Sequence, residues 1–273
     1  ARFSIRVSNV GSTPAEDESD AFFNILYPTI TITSPNGGEN YFVESPVTIT
    51  WTTTGPVVDV SLSFSIDGGN YYEHIDLVPN TGSYAWTAPA DYSSNCLIKI
   101  CNYGGTIAED YSDAYFTISP PTITVTSPNG GENYFTGSPV EITWATTGPV
   151  EVVEILCSTN GGIDYNTIDI VYNTGSYSWV TPSNYSSECI ISIRSMGNTP
   201  AEDESDSFFT ISPPTITVTS PNGGENYFTG SPVDIIWTTT GPVTDVEISY
   251  STDGGFNYNS INVVPNTGSY AWT

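Results

Sequence analysis

The chain has 273 residues, 38% of them hydrophobic and 13% aromatic, which is enough apolar material for packed cores and unlike a disordered chain. Four Lys plus Arg stand against thirty Asp plus Glu, a formal net charge of −26; a surface this acidic repels nucleic acid and anionic lipid and excludes both as partners. No run of about 20 apolar residues occurs, so no membrane insertion is expected.

One repeat organises the chain. The segment TSPNGGENYF stands at Thr33–Phe42, Thr126–Phe135 and Thr219–Phe228, a spacing of 93 residues. Trp51, Trp144 and Trp237 keep that period, as do Trp86, Trp179 and Trp272, and the NTGSY segments that begin at Asn80, Asn173 and Asn266. From the N-terminus, Ser4-Ile5-Arg6 matches Ser192-Ile193-Arg194 and Ala15–Asp20 matches Ala201–Asp206. Residues 1–27 therefore read as the last two strands of an incomplete repeat, with a two-residue insertion between the matched segments. The single Met, away from position 1, fits an N-terminus made by processing.

Residues 28–120 form the first complete repeat. Ile30 and Ile32 mark one strand, ended by the turn Pro35–Gly38. Val47, Ile49 and Trp51 alternate with Thr in a second, and Val60, Leu62 and Phe64 alternate with Ser in a third. Asp67-Gly68-Gly69 supplies the positive φ of a tight turn. Further strands run around Ile75 and Leu77, through Tyr84–Trp86, through Cys96, Ile98 and Ile100, and through Tyr115–Ile118. Residues 121–213 repeat this set. Residues 214–273 repeat it as far as Thr273, the counterpart of Thr87, and so read as an incomplete repeat without its last two strands. The predicted class is all-β: tandem immunoglobulin-like β-sandwich repeats of period 93 in a rigid rod, with no helix. The Trp residues alternate with small polar ones and suit a core, the alternative being a sugar-stacking platform, whereas Tyr71, Tyr72, Tyr92 and Tyr103 suit an exposed face. Pro120-Pro121 and Pro213-Pro214 make the joints short and stiff.

The residues Ser34–Glu39, Trp51, Asp67–Gly69, Asn80–Trp86, Cys96–Ile100 and Ser112–Ile118, with their copies, carry a family resemblance. The pattern resembles the Ig-like domain of fungal cell-wall glucan-synthesis and Ser/Thr-rich GPI-anchored proteins, as found in tandem in secreted prokaryotic surface proteins. The resemblance implies an extracellular or cell-surface β-sandwich used as spacer, adhesive or scaffold, and no enzymatic activity.

Half a sandwich exposes an apolar face and unpaired backbone groups. Two arrangements repair it. Residues 1–27 of one copy insert into 214–273 of the next by donor strand complementation, giving a head-to-tail homopolymer in which copies of the chain are each other's partners. Alternatively, the chain is a window of a longer covalent array. Both give a structural, filament-forming protein; the rival expectation is the stalk of an adhesin that binds cell-surface glycans.

Residues that carry chemistry are few. His74 has no counterpart in the other repeats and reads as an exposed strand residue. No nucleophile elbow, metalloprotease motif or phosphate loop occurs. Glu16, Asp17, Glu18 and Asp20 recur as Glu109, Asp110 and Asp113 and as Glu202, Asp203, Glu204 and Asp206, in the loop before each final strand. Hard oxygen ligands at that density suit calcium, with Glu39, Glu132 and Glu225 as added ligands; the alternative is a solvated acidic loop. No other cofactor is implied. Cys157 and Cys189 both point inward, on strands expected on facing sheets, which predicts a disulfide worth about 3 kcal/mol. Cys96 occupies the Cys189 position, but the place of its expected partner holds Phe64, so it reads as a buried free thiol; Cys101, on the opposite face, reads as exposed or as a bridge between chains. Asn184-Tyr185-Ser186 is the only N-glycosylation sequon.

Overall fold

The computed structural model describes residues 1–105, 108–197 and 200–273. Among these residues every regular element is a strand, and no helix is long and apolar enough to cross a membrane. The chain divides into two compact units, residues 1–121 and 122–273.

In the first unit, residues 28–120 fold as two packed sheets. One is three-stranded and antiparallel, ordered Ser83–Thr87, Pro46–Thr54, Thr29–Ser34. The other runs Asn40–Phe42, Phe116–Ser119, Ser93–Asn102, Asp59–Ser65, Glu73–Pro79, with Glu109–Tyr111 beside Ser93–Asn102. Alternation fixes which side chains turn inward. Ile30, Ile32, Val47, Ile49 and Trp51 from one sheet meet Val60, Leu62, Ile98, Ile100, Phe116 and Ile118 from the other in one buried cluster. The expected all-β sandwich of period 93 is thus present.

Three details differ from the sequence reading. Asn40–Phe42 adds a short strand parallel to Phe116–Ser119. The acidic segment Glu109–Tyr111 lies on a strand and not in a loop, since its backbone pairs Lys99–Cys101. A bulge between Leu62 and Ser63 skips Ile75 on the neighbouring strand, so Leu77 turns outward while Ile75 and Val78 pack against the core.

Residues 1–27 form paired strands of their own. Arg2–Phe3 pairs Phe23–Asn24, and Arg6–Ser8 pairs Glu16–Glu18. Val7 lies opposite Asp17, as Ile100 lies opposite Asp110 and Ile193 opposite Asp203. Phe3 lies opposite Phe23, as Cys96 lies opposite Phe116 and Cys189 opposite Phe209. The strict 93-residue spacing therefore holds through this segment, and the two-residue insertion inferred from Ser4-Ile5-Arg6 is overturned. Phe3, Ile5 and Val7 stand where Cys189, Ile191 and Ile193 stand. The Ser19 N–H donates to the Ile5 carbonyl at 2.9 Å, as Ser205 does to Ile191 at 2.9 Å.

In the second unit, residues 122–212 repeat the two-sheet arrangement with the same strand order and an equivalent core around Ile142, Trp144, Ile155, Ile191 and Phe209. The segment that follows has a three-stranded sheet, Thr215–Ser220, Val233–Thr240 and Ser269–Trp272, and a two-stranded sheet, Asp245–Tyr250 and Asn259–Pro265.

Candidate functional site

The segment 214–273 is an open sandwich. Nothing among the described residues takes the places that Ser186–Ser195, Glu202–Glu204 and Phe209–Ser212 occupy in the repeat before it. Its buried cluster shrinks to Trp237, Val246 and Ile248. Ile216 and Val218 are 54% and 47% exposed, whereas their counterparts Ile123 and Val125 are 5% and 1% exposed. The space between the sheets is a cleft of about 370 Å³ lined by Ile216, Val218, Ile235, Trp237, Ile248 and Trp272. Asn226–Phe228, the counterpart of the short parallel strand Asn133–Phe135, carries no strand, because the strand it would pair is missing from its side.

The hairpin of residues 1–27 presents the reverse case. Phe3, Ile5, Val7, Phe23 and Ile25 are exposed, although each counterpart in the complete repeats is buried. Phe3 and Phe23 stack at 5.9 Å. Arg6 holds Glu16 at 3.0 Å and Glu18 at 3.1 Å on the opposite face. Among the described residues the Asp17 and Asp20 side chains have no partner.

In the complete repeats the equivalent aspartates tie the closing strands to the first strand. Asp110 Oδ2 accepts the Ile32 N–H at 2.7 Å, and Asp203 Oδ2 accepts the Val125 N–H at 2.8 Å. Asn36 Nδ2 donates to Asp113 Oδ2 at 2.7 Å, and Asn129 Nδ2 to Asp206 Oδ2 at 2.7 Å. Ser112 Oγ donates to the Pro35 carbonyl and Ser205 Oγ to the Pro128 carbonyl, each at 2.8 Å.

In the complete repeats the acidic positions are thus committed to the fold. Glu109 pairs Lys99 at 3.2 Å and Glu202 pairs Arg194 at 3.3 Å. Glu204 accepts from Tyr165, whose hydroxyl is pushed up to about 12 by burial first and by that hydrogen bond second. Glu39, Glu132 and Glu225 accept the N–H groups of their own turns, as Glu225 does from Asn222 and Gly223 at 2.8 and 2.7 Å. The Asn222 N–H foremost holds the Glu225 carboxyl below its usual range. Among the described residues no group of three or more His, Cys, Asp or Glu side chains is placed to hold a metal ion. The expected calcium cluster does not assemble there, because strand alternation sends neighbouring Asp and Glu to opposite faces.

The four cysteines are free thiols. The expected Cys157–Cys189 disulfide is not formed, and the sheet order explains it. The two strands are neighbours in one sheet and not on facing sheets. Cys157 lies opposite Ile191, which makes Cys189 its diagonal neighbour on the inward face. Diagonal partners sit about 7–8 Å apart at Cα, beyond the reach of an unstrained bridge. Burial pushes the Cys157 thiol up to about 12, with Cys189 adding to the effect, and burial raises Cys96 and Cys189 as well.

His74 is exposed, with Nδ1 at 3.4 Å from Ser61 Oγ and no carboxylate partner among the described residues. Tyr71, Tyr92 and Tyr103 are exposed as expected, while Tyr72 is half-buried and packs edge-on against Tyr111. Sequence reasoning missed Asn80, Asn173 and Asn266. Each accepts the indole N–H of the buried Trp at 2.8 Å. Their recurrence in all three NTGSY segments was the available signal.

No protein-family model matches the sequence, and no curated protein matches it. Among solved structures, the chain is similar to the Clostridium thermocellum CbhA fibronectin(III)-like modules, with 15% identity, 73% of this chain and 100% of that chain covered, and a TM-score of 0.28. It is similar to the I9–I11 tandem of titin at 8% identity, with 89% and 97% covered and a TM-score of 0.42. The D1–D4 ectodomain fragment of ICAM-5 aligns at 11% identity, with 97% and 82% covered and a TM-score of 0.27. Superpositions at this level add nothing to the strand order described above.

Proposed function

We propose that the chain is a non-enzymatic structural subunit of an extracellular filament. In this reading, residues 1–27 of one copy complete the open sandwich 214–273 of the next. One observation carries it: a cleft lined by exposed Ile216 and Val218 and a hairpin bearing exposed Ile5 and Val7 are complementary halves of a core that residues 122–212 hold whole. The hairpin already has the pairing of the strands it would replace. Donor and acceptor surfaces differ, so the contact is heterologous and propagates instead of closing as a dimer.

Electron microscopy of the native material and the mass of its denatured chain test this reading. Uniform filaments built of chains near 29.3 kDa support it. Filaments whose denatured chain is several times heavier replace polymerisation by a covalent array. Isolated monomers that bind glycans move the function to an adhesin stalk.

A further inference from the structure

We infer that Asp17 is the latch of the junction: its carboxylate accepts the Val218 N–H of the next copy. This rests on the strand-complementation reading and adds a polar lock to it. Three observations lead there. In both complete sandwiches the aspartate at this place accepts a first-strand N–H, from Ile32 to Asp110 and from Val125 to Asp203. The partners on each side of the proposed junction are unused. Among the described residues the Asp17 carboxylate has no hydrogen bond or ion pair, while Glu16 and Glu18 on either side of it are held by Arg6. On the acceptor, Val218 is exposed, and the Asn222 side chain has no partner among the described residues, its backbone N–H alone being held, by Glu225.

The surrounding positions agree. Ser19 Oγ accepts the Ile5 N–H at 3.2 Å, which leaves its O–H to donate to the Pro221 carbonyl, as Ser112 and Ser205 donate to Pro35 and Pro128. Asp20 faces Asn222 in the places of Asp113 and Asn36. A Cβ on Gly37 would lie 2.5 Å from that of Ala114, and one on Gly130 would lie 2.5 Å from that of Ser207. The same position on Gly223 meets nothing within 4 Å and is open to Ala21 of the incoming copy. Residues 17–21 thus match an empty mould at Val218–Gly223 position for position. The aspartates that resemble a metal cluster in sequence are an address for a second copy of the chain.

Assembly of the full chain, followed by light scattering and sedimentation across a concentration series, tests the latch. Asp17→Ala is compared with Glu18→Gln, which removes a charge one residue away but touches only the exposed Arg6 pair. Loss of a charge-assisted hydrogen bond is expected to raise the critical concentration about tenfold or more for D17A and to leave E18Q close to the parent. In assembled parent protein the Val218 amide is protected from exchange, and in D17A it exchanges faster. Equal critical concentrations for D17A and the parent overturn the latch, as do equal rises for D17A and E18Q, which would mark a general charge effect. If the parent protein never assembles at any concentration, the strand-complementation reading itself falls, and the latch with it.

Discussion

Gly130 and Ser207 approach so closely that a Cβ added to the glycine would lie 2.5 Å from the Ser207 Cβ, whereas Gly223, its counterpart in the open sandwich, faces empty space. Both glycines have positive φ, 128° and 121°, so alanine strains the backbone similarly at each. Only at Gly130 does it also collide with a closing strand. Gly130→Ala is expected to destabilise the monomer by about 1–3 kcal/mol more than Gly223→Ala, the usual cost of overpacking. Gly223→Ala is expected to suppress assembly instead. Chemical denaturation and sedimentation of the two variants separate the effects; equal destabilisation would show that the collision is relieved by movement of the closing strand.

The buried Trp144 Nε1 donates to Asn173 Oδ1 at 2.8 Å, and Asn173 Nδ2 donates in turn to Thr146 Oγ1 and to the Val150 carbonyl, each at 2.9 Å. Asn173→Ala leaves an indole N–H without its partner inside the sandwich. The expected cost is about 1–3 kcal/mol for the unsatisfied donor. The denaturant midpoint should fall without a change of slope. An unaltered midpoint would mean that water replaces the amide, and the network would then have no structural weight.

Thiol chemistry checks the sheet order. Cys157 and Cys189 are buried and their thiols are shifted upward, Cys157 to about 12, while Cys101 is only half-buried. Native protein treated with iodoacetamide near pH 8 is therefore expected to gain one adduct, at Cys101, and four after unfolding. Protection of Cys157 and Cys189 that persists after unfolding and disappears only with reductant would restore the bridge between them.

The strand pattern was legible in the sequence because a residue facing a core must be apolar and its neighbour need not be, so Ile30, Ile32 and the Trp series declared their faces. What escaped the sequence was pairing. Ser4-Ile5-Arg6 matched Ser192-Ile193-Arg194 by identity, yet a strand is held by its partner, and Asp17 opposite Val7 sets the frame. The Cys157–Cys189 bridge failed for the same reason: alternation shows that both side chains point inward but not that their strands lie side by side. The acidic runs were read as a single patch, though alternation within Glu16-Asp17-Glu18 already separates the middle residue from its neighbours. That separation is the clue to the candidate site that composition conceals.

The last prediction concerns pH. Asp253 Oδ1 accepts the backbone N–H groups of Phe256 and Asn257 at 3.1 and 2.9 Å and the Ser251 hydroxyl at 2.8 Å, while Oδ2 accepts Asn257 Nδ2 at 2.6 Å. These donors, the Asn257 backbone N–H foremost, favour the charged form and hold the carboxyl at about 2. A carboxyl depressed in the folded loop stabilises it fully above the ordinary aspartate value of about 4. That contribution fades as pH falls from there towards 2. Asp67 is lowered in the same way in the first repeat, chiefly by the Tyr71 N–H. The second repeat carries Asn160 at this place, whose neutral side-chain oxygen accepts the Asp164 N–H at 3.0 Å without titrating. The Asn257 amide resonance is expected to titrate with a midpoint near 2, and Asp253→Asn should abolish that transition while the loop stays folded. A midpoint near 4 would mean that the N–H groups do not hold the carboxylate in solution, and the loop would then owe its shape to Gly254, Gly255 and the Ser251 hydroxyl, which accepts the Gly255 N–H at 2.9 Å.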